Sequence, residues 1–280
     1  MSAAHWTRRW PAPAKLNLFL HVVGRRADGY HLLQTVFRLI DLCDWLEFAP
    51  CADADVRLAR PTAGVPAEHD LTLRAARLLQ RTTGCRTGAT ILLAKQIPLG
   101  GGLGGGSSDA ATTLLALNEL WDTRLTRAEL ARLALQLGAD VPFFLCGGNA
   151  FAEGVGEVLT PLDLDPVWYL VVTPQVAVST KEIFAARELT RTTKPLTISA
   201  FFAGLGHNDL EPVVRARHPE VAQALDWLGP FGDARMSGSG SSVFAEFATE
   251  AEARAVAAKV PGAWRGVAVR GLDRHPLAPD

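Results

Sequence analysis

Residues 15–24 alternate in polarity along the chain. Leu16, Leu18 and Leu20 point one way, and Lys15, Asn17, Phe19 and His21 point the other. That period of two predicts a half-buried strand. Arg25-Arg26-Ala27-Asp28-Gly29 reads as a turn, and strand-like runs follow at 33–39, 45–48 and 56–58. A helical period predicts a helix over 71–80, and 89–97 reads as another strand. After a glycine-rich stretch, 108–121 is a helix rich in Ala and Leu. A second helix is expected over 126–137, with Thr126 and Glu129 as a capping box and Gly138 as its stop. Residues 150–159 suggest a hairpin around 154–156. Beyond Asp165-Pro166 the pattern changes. A buried-type strand is expected at 168–173, and a helix at 179–189 with Ser179 and Glu182 as a second box. A helical stretch over 209–228 is interrupted at Pro219. Strand, Gly/Ser loop and strand follow over 234–247. A helix over 249–258 has Thr249 and Glu252 as a third box, and a closing strand spans 264–272. The whole predicts an α+β protein of mixed sheets in two units, 1–165 and 166–280, with a ligand cleft between them.

Composition narrows the function classes. The 280 residues carry 28 basic and 29 acidic side chains, a net charge of −1. There is no basic excess or stripe of the kind nucleic acids require. Apolar residues make up 48% of the chain, enough for a substantial core. Cys43, Cys51, Cys85 and Cys146 form no CxxC pair and no Cys/His cluster with zinc spacing, so they read as reduced thiols. The N-terminal stretch is basic without an apolar segment, and no apolar run approaches the ~20 residues of a membrane span. A cytoplasmic protein is expected, with a small-molecule partner and neither nucleic acid nor membrane.

The densest signal is Pro98-Leu99-Gly100-Gly101-Gly102-Leu103-Gly104-Gly105-Gly106-Ser107-Ser108, lying between a strand and a helix. Six glycines in seven positions cost backbone entropy. They read as a device for exposing N–H groups at a helix N-terminus, an anion cradle, rather than for packing. The loop fails as a Walker A motif, because Ser107 stands where the lysine belongs. Gly100, Gly102 and Gly105 match G-x-G-x-x-G, but no acid-ended strand follows, so a nicotinamide-dependent oxidoreductase is the remote alternative.

Three stretches in order resemble the motifs of the GHMP kinases: Pro13-Ala14-Lys15-Leu16-Asn17-Leu18, the glycine loop, and Ser237-Gly238-Ser239-Gly240-Ser241-Ser242-Val243-Phe244. The resemblance implies a two-domain fold, with an N-terminal ribosomal-S5-like α/β domain and a C-terminal ferredoxin-like domain, and an active site in the cleft. It implies ATP as co-substrate, accompanied by Mg2+. Arg26-Ala27-Asp28-Gly29-Tyr30-His31, Gly138-Ala139-Asp140-Val141-Pro142 and 151–157 resemble the members that phosphorylate the 2-hydroxyl of a cytidine-diphosphate-linked methylerythritol, on the non-mevalonate route to isoprenoids. A kinase for homoserine, mevalonate or a sugar is the alternative within the family.

On that resemblance, Lys15 and Asp140 are the catalytic pair. The loop from Pro98 to Ser108, with Lys95, binds ATP. Asn17, Tyr30, His31, Thr180, Phe184, Gly238 and Ser239 bind the acceptor, with Tyr30 and Phe184 stacking on cytosine and His31 reading its edge. Ser108 is a candidate magnesium contact, and no acidic ligand is singled out. A monomer or weak homodimer is expected. Asp109 and Asp70 stand where the relatives usually carry Asn. Both add negative charge near the expected nucleotide, and both also suit a helix N-terminus.

Overall fold

The computed structural model describes residues 6–278 apart from residue 52. Strand β1 (Trp10–Arg25) pairs antiparallel with β2 (His31–Cys51), and these two long strands organise the N-terminal half. β2 also pairs with β4 (Gly88–Ala94) and β5 (Ala150–Glu153). β3 (Val56–Leu58) lies parallel to β4, and β6 (Val158–Pro161) closes the expected hairpin with β5. In the other half, β7 (Trp168–Pro174) lies between β9 (Val243–Phe247) and β10 (Trp264–Leu272), with β8 (Arg235–Met236) outside β9. The end of β10 pairs with β2, so one mixed sheet runs through both halves.

Helices α1 (Leu71–Thr83), α2 (Gly105–Leu120), α3 (Arg127–Leu135) and α4 (Val141–Cys146) cover the outer face of the first part. Their core includes Ala12, Phe37, Leu46, Leu114 and Phe144. Helices α5 (Thr180–Ala185), α7 (Glu211–Arg217), α8 (Pro219–Leu228) and α9 (Glu250–Ala257) cover the second part, against Leu170, Val172 and Val243. Short α6 (Ile198–Phe202) falls in a stretch to which the sequence reading assigned nothing. Between the two parts lies a third cluster, including Leu16, Ile40, Tyr169, Val171 and Phe244. Alternate residues of β7 serve different clusters, which is why its sequence reads as a continuous apolar run. Each fully buried aliphatic or aromatic side chain there contributes about 1.5–3 kcal/mol.

Two strand expectations change. β1 is buried on both faces, not half-buried, and carries Lys15, Asn17 and His21 into the interior. A bulge between Asn17 and Leu20 sets Leu18 and Phe19 against the single residue Val36. It resets the alternation, so Leu20 and Val22 join the C-terminal core. The runs at 33–39 and 45–48 are one 21-residue strand. The polar residues that separate them are satisfied: Asp41 accepts from the Arg270 amide, and Asp44 from the amides of Gln96 and Ile97.

The capping boxes at Thr126/Glu129 and Thr249/Glu252 are complete. At α5 only Ser179 accepts, from the Glu182 amide. Asp70 caps α1, taking the amides of Thr72 and Leu73 and the Thr62 hydroxyl. Among the described residues no helix is long and apolar enough to cross a membrane.

Candidate active site

The glycine loop docks on the second Gly/Ser loop. The amides of Ser241 and Ser242 donate to the carbonyls of Gly100 and Gly101, and the Ser237 hydroxyl donates to Gly102 O at 2.9 Å. Gly102 has φ +73°, and a Cβ there would lie 2.1 Å from Ser237 O. At Gly104, φ +71°, a Cβ would meet Phe144 and the Lys15 stem. Part of the glycine content is therefore a packing device, contrary to the expectation above. Two backbones approach closer than any side chain permits. The remainder frames a cavity of about 360 Å3 at the start of α2, lined by Pro98, Leu99, Gly100, Gly102, Gly104, Gly105, Gly106 and Ser107. Gly101, Leu103 and Ser108 face the protein instead. Ser108 is fully buried, with a hydroxyl that meets no partner among the described residues. Ser107, not Ser108, is the loop serine that lines the cavity.

Lys15 reaches the same cavity from β1. Its Nζ donates to Asn17 Oδ1 at 2.5 Å and Gly102 O at 2.9 Å, and lies 3.5 Å from Asp140 Oδ2. Asn17 is itself fixed, donating from Nδ2 to Thr35 Oγ1 and from its amide to Ser237 Oγ. Burial lowers the lysine's pKa, with Asp140 opposing that shift. Asp140 stands at the N-cap of α4 without a side-chain capping bond, so its carboxylate is free to face the cavity. That helix was not foreseen, because Gly138 and Pro142 read as breakers. Proline in the first turn is in fact a helix start.

A second cavity, about 720 Å3, adjoins the first. Leu33, Asp140, Val155, Thr180 and Phe184 line both. Tyr30 and His31 stand in the second, with Tyr30 64% exposed. The His31 and Phe184 rings lie 5.0 Å apart and 32° from parallel. Thr180 and Ser239 share a hydroxyl hydrogen bond at 2.6 Å, and Gly238 lines the first cavity.

Known proteins resemble this chain along most of its length. The model of the GHMP kinases N terminal domain matches residues 70–148, and that of the GHMP kinases C terminal region matches 172–266. The 4-diphosphocytidyl-2-C-methyl-D-erythritol kinase of Nitrosococcus oceani is 59% identical over 264 residues, 94% of each chain. That of Nitrosospira multiformis is 60% identical over 270 residues, 95% of this chain and 92% of its own. A crystal structure of 4-(cytidine 5'-diphospho)-2C-methyl-D-erythritol kinase superposes with a TM-score of 0.83 at 38% identity, covering 94% of this chain and 99% of that one. A mevalonate kinase structure shares the fold, with a TM-score of 0.71 at 16% identity, covering 95% of this chain and 100% of that one. This chain belongs to the GHMP kinase family. Membership sets aside the oxidoreductase alternative.

In this GHMP kinase the structure gathers Lys15, Asn17, Lys95, Asp140, Thr180, Phe184, Gly238 and Ser239 around the first cavity, and Tyr30 and His31 into the second. Lys95 is not a free cation. Its Nζ lies 2.5 Å from Asp44 Oδ2 and 2.7 Å from Asp109 Oδ2. Burial alone lowers its pKa, but Asp109 and Asp44 outweigh that and raise it. Asp109 is buried, and burial pushes its carboxyl up to about 8, with Asp44 adding to the shift and Lys95 opposing it. Sequence reasoning missed Asp44, whose partners are 51 to 53 residues away. It also missed Arg191 and Thr35, whereas the 154–156 turn stands where the hairpin was expected. Only the polar character of 191–194 could have marked Arg191.

Proposed function

We propose that this GHMP kinase transfers the γ-phosphoryl group of ATP to the 2-hydroxyl of 4-diphosphocytidyl-2-C-methyl-D-erythritol, a step of isoprenoid precursor synthesis. The carrying observation is the junction. Asp140 and Thr180 belong both to the glycine cradle and to the aromatic-lined cavity. A phosphate chain in the first and a base in the second bring the acceptor hydroxyl between them, at the Lys15–Asp140 pair. High identity to the Nitrosococcus and Nitrosospira kinases over nearly their whole length supports the substrate.

Phosphoryl transfer asks for positioning and charge neutralisation more than for covalent chemistry. The N–H groups at the start of α2 and that helix's dipole hold the phosphates. Asp140 orients the acceptor hydroxyl and takes its proton. Lys15, anchored by Asn17 and Gly102 O, holds Asp140 in place and supplies positive charge beside the transferred group. When bound with ATP, magnesium would neutralise β/γ-phosphate charge. The donor set suits an ion held mainly by phosphate. Ser107 and Asp140 offer oxygens at the cavity, and no cluster of three or more His, Cys, Asp or Glu exists among the described residues. The unit boundary near 165 lies in the link from β6 to β7; the first unit carries the glycine cradle together with Tyr30 and His31, and the second contributes Thr180, Phe184, Gly238 and Ser239. The four free cysteines suit a reducing cytoplasm.

Steady-state kinetics with the diphosphocytidyl acceptor, methylerythritol 4-phosphate, homoserine and mevalonate test the reading. Only the first should turn over efficiently. Equal turnover of an acceptor lacking cytidine leaves a GHMP kinase of another specificity.

A further inference from the structure

His31 is held by a residue far away in sequence. Arg191 Nε donates to His31 Nε2 at 3.1 Å. The same guanidinium donates to Leu189 O at 2.9 Å, Phe184 O at 3.0 Å and Ala186 O at 2.5 Å. It therefore ties the end of α5, which carries Phe184, to the imidazole that Phe184 packs against. Four hydrogen bonds from one side chain leave it little freedom.

The consequence follows from donor and acceptor types. A guanidinium has five N–H donors and no acceptor. The atom it meets, Nε2, must be an unprotonated nitrogen with its lone pair toward Arg191. In a neutral imidazole the proton then sits on Nδ1. The cationic ring is disfavoured as well, since burial, Arg191 and Arg25 all lower the His31 pKa. Among the described residues Nδ1 meets no hydrogen-bond partner, while the ring lines the larger cavity. His31 thus offers that cavity a single donor.

We propose that Arg191 is a specificity-determining positioning residue: by occupying His31 Nε2 it makes the ring a fixed Nδ1–H donor, matched to the acceptor edge of cytosine and mismatched to the N3–H of uracil. Cytosine presents lone pairs at N3 and O2, whereas uracil carries a hydrogen on N3. A donor facing a donor leaves two buried N–H groups unpaired, the kind of mismatch that polar sites reject most strongly. Without Arg191 the ring is free to adopt the other tautomer, which accepts at Nδ1 and tolerates uracil. This inference rests on the cytidine reading of the cavity given above.

Two measurements on the intact protein test it. Proton-detected nitrogen-15 spectra of the histidine side chains should show His31 in the Nδ1–H form at neutral pH. An Nε2–H or cationic ring overturns the proposal. Calorimetric titration with CDP and UDP should show wild type preferring CDP by about ten- to a hundredfold. Arg191→Met should reduce that ratio about tenfold, and Arg191→Lys, which still presents only donors, should keep most of it. If Arg191→Met weakens both ligands equally, Arg191 merely supports the loop and the proposal fails. If wild type itself shows no preference for CDP, the cytidine reading fails. That result is distinct because it needs no substitution.

Discussion

The two ends of the cleft are made of different material. At the cradle the contacts are mainly main-chain: carbonyls of Gly100 and Gly101 accept from the amides of Ser241 and Ser242, and that of Gly102 from the Ser237 hydroxyl. At the far end the walls are side chains. Tyr30 is largely exposed, and His31 and Phe184 are organised by one arginine. A phosphate chain is the same in every nucleoside triphosphate, so backbone N–H groups suffice to hold it. A base must be told from other bases, which takes side chains with defined donors. Rigidity is thus concentrated where the ligand is generic, and side-chain identity matters where the ligand is particular.

Substitution where the ends meet should have the largest effect. Asp140→Asn keeps the α4 N-cap position and its neighbours but removes the carboxylate that takes the hydroxyl proton. kcat should fall about 10²- to 10⁴-fold, with melting temperature and ATP affinity nearly unchanged. Steady-state kinetics and ATP titration check it. Retention of more than about a tenth of wild-type kcat would remove Asp140 from the base role.

A reciprocal pair then separates the ends. Gly102→Ala forces a side chain into a positive-φ position against Ser237 O. It should cost about 1–3 kcal/mol of stability or more, and should weaken ATP binding while leaving CDP binding largely intact. Tyr30→Ala should do the opposite. Loss of one stacking face costs about 1–3 kcal/mol, read as a higher KM and a lower kcat for the cytidine-linked acceptor with ATP affinity preserved. Parallel titrations with ATP and CDP decide the matter. Coupled losses in both variants would mean that the ends do not act independently.

The same division explains what was legible in the sequence. Lys15, Asp140 and the glycine loop lie within contiguous motifs, and local patterning placed most helices and strands. What escaped depended on distant chain. β2 was split in two because Asp41 and Asp44 looked like a break, and their partners lie at 270 and 95–97. The double burial of β1 needed the third cluster, which only the second half of the chain completes. Arg191 lies 160 residues from His31, and Lys95 is neutralised by carboxylates from two other elements. Spacing and period carry local geometry and are silent about such pairings.

The smallest expected effect concerns Asp109, buried beside Lys95 at the cradle's edge. Extra negative charge there should disfavour ATP, yet burial has moved its carboxyl up to about 8. The shift reduces the charge this group carries near neutral pH, and Lys95 at 2.7 Å offsets what remains, so Asp109→Asn changes little net charge at the cradle. ATP affinity should change by less than about threefold at that pH. The sign for stability follows from the same shift. A carboxyl whose folded pKa lies above its unfolded value of ~3.9 binds more protons in the folded state between those limits. Stability is then lost as pH rises through that window toward 8, and the amide variant lacks this loss. At pH 9 the carboxylate is ionised beside Lys95 and the cradle. The variant should there be the more stable and should bind ATP about fivefold more tightly. Denaturation and ATP titration of both proteins at pH 7 and 9 test this. Markedly weaker ATP binding by Asp109→Asn at pH 7 would show that the ionised carboxylate aids the nucleotide or its magnesium. The cradle would then depend on a side chain after all.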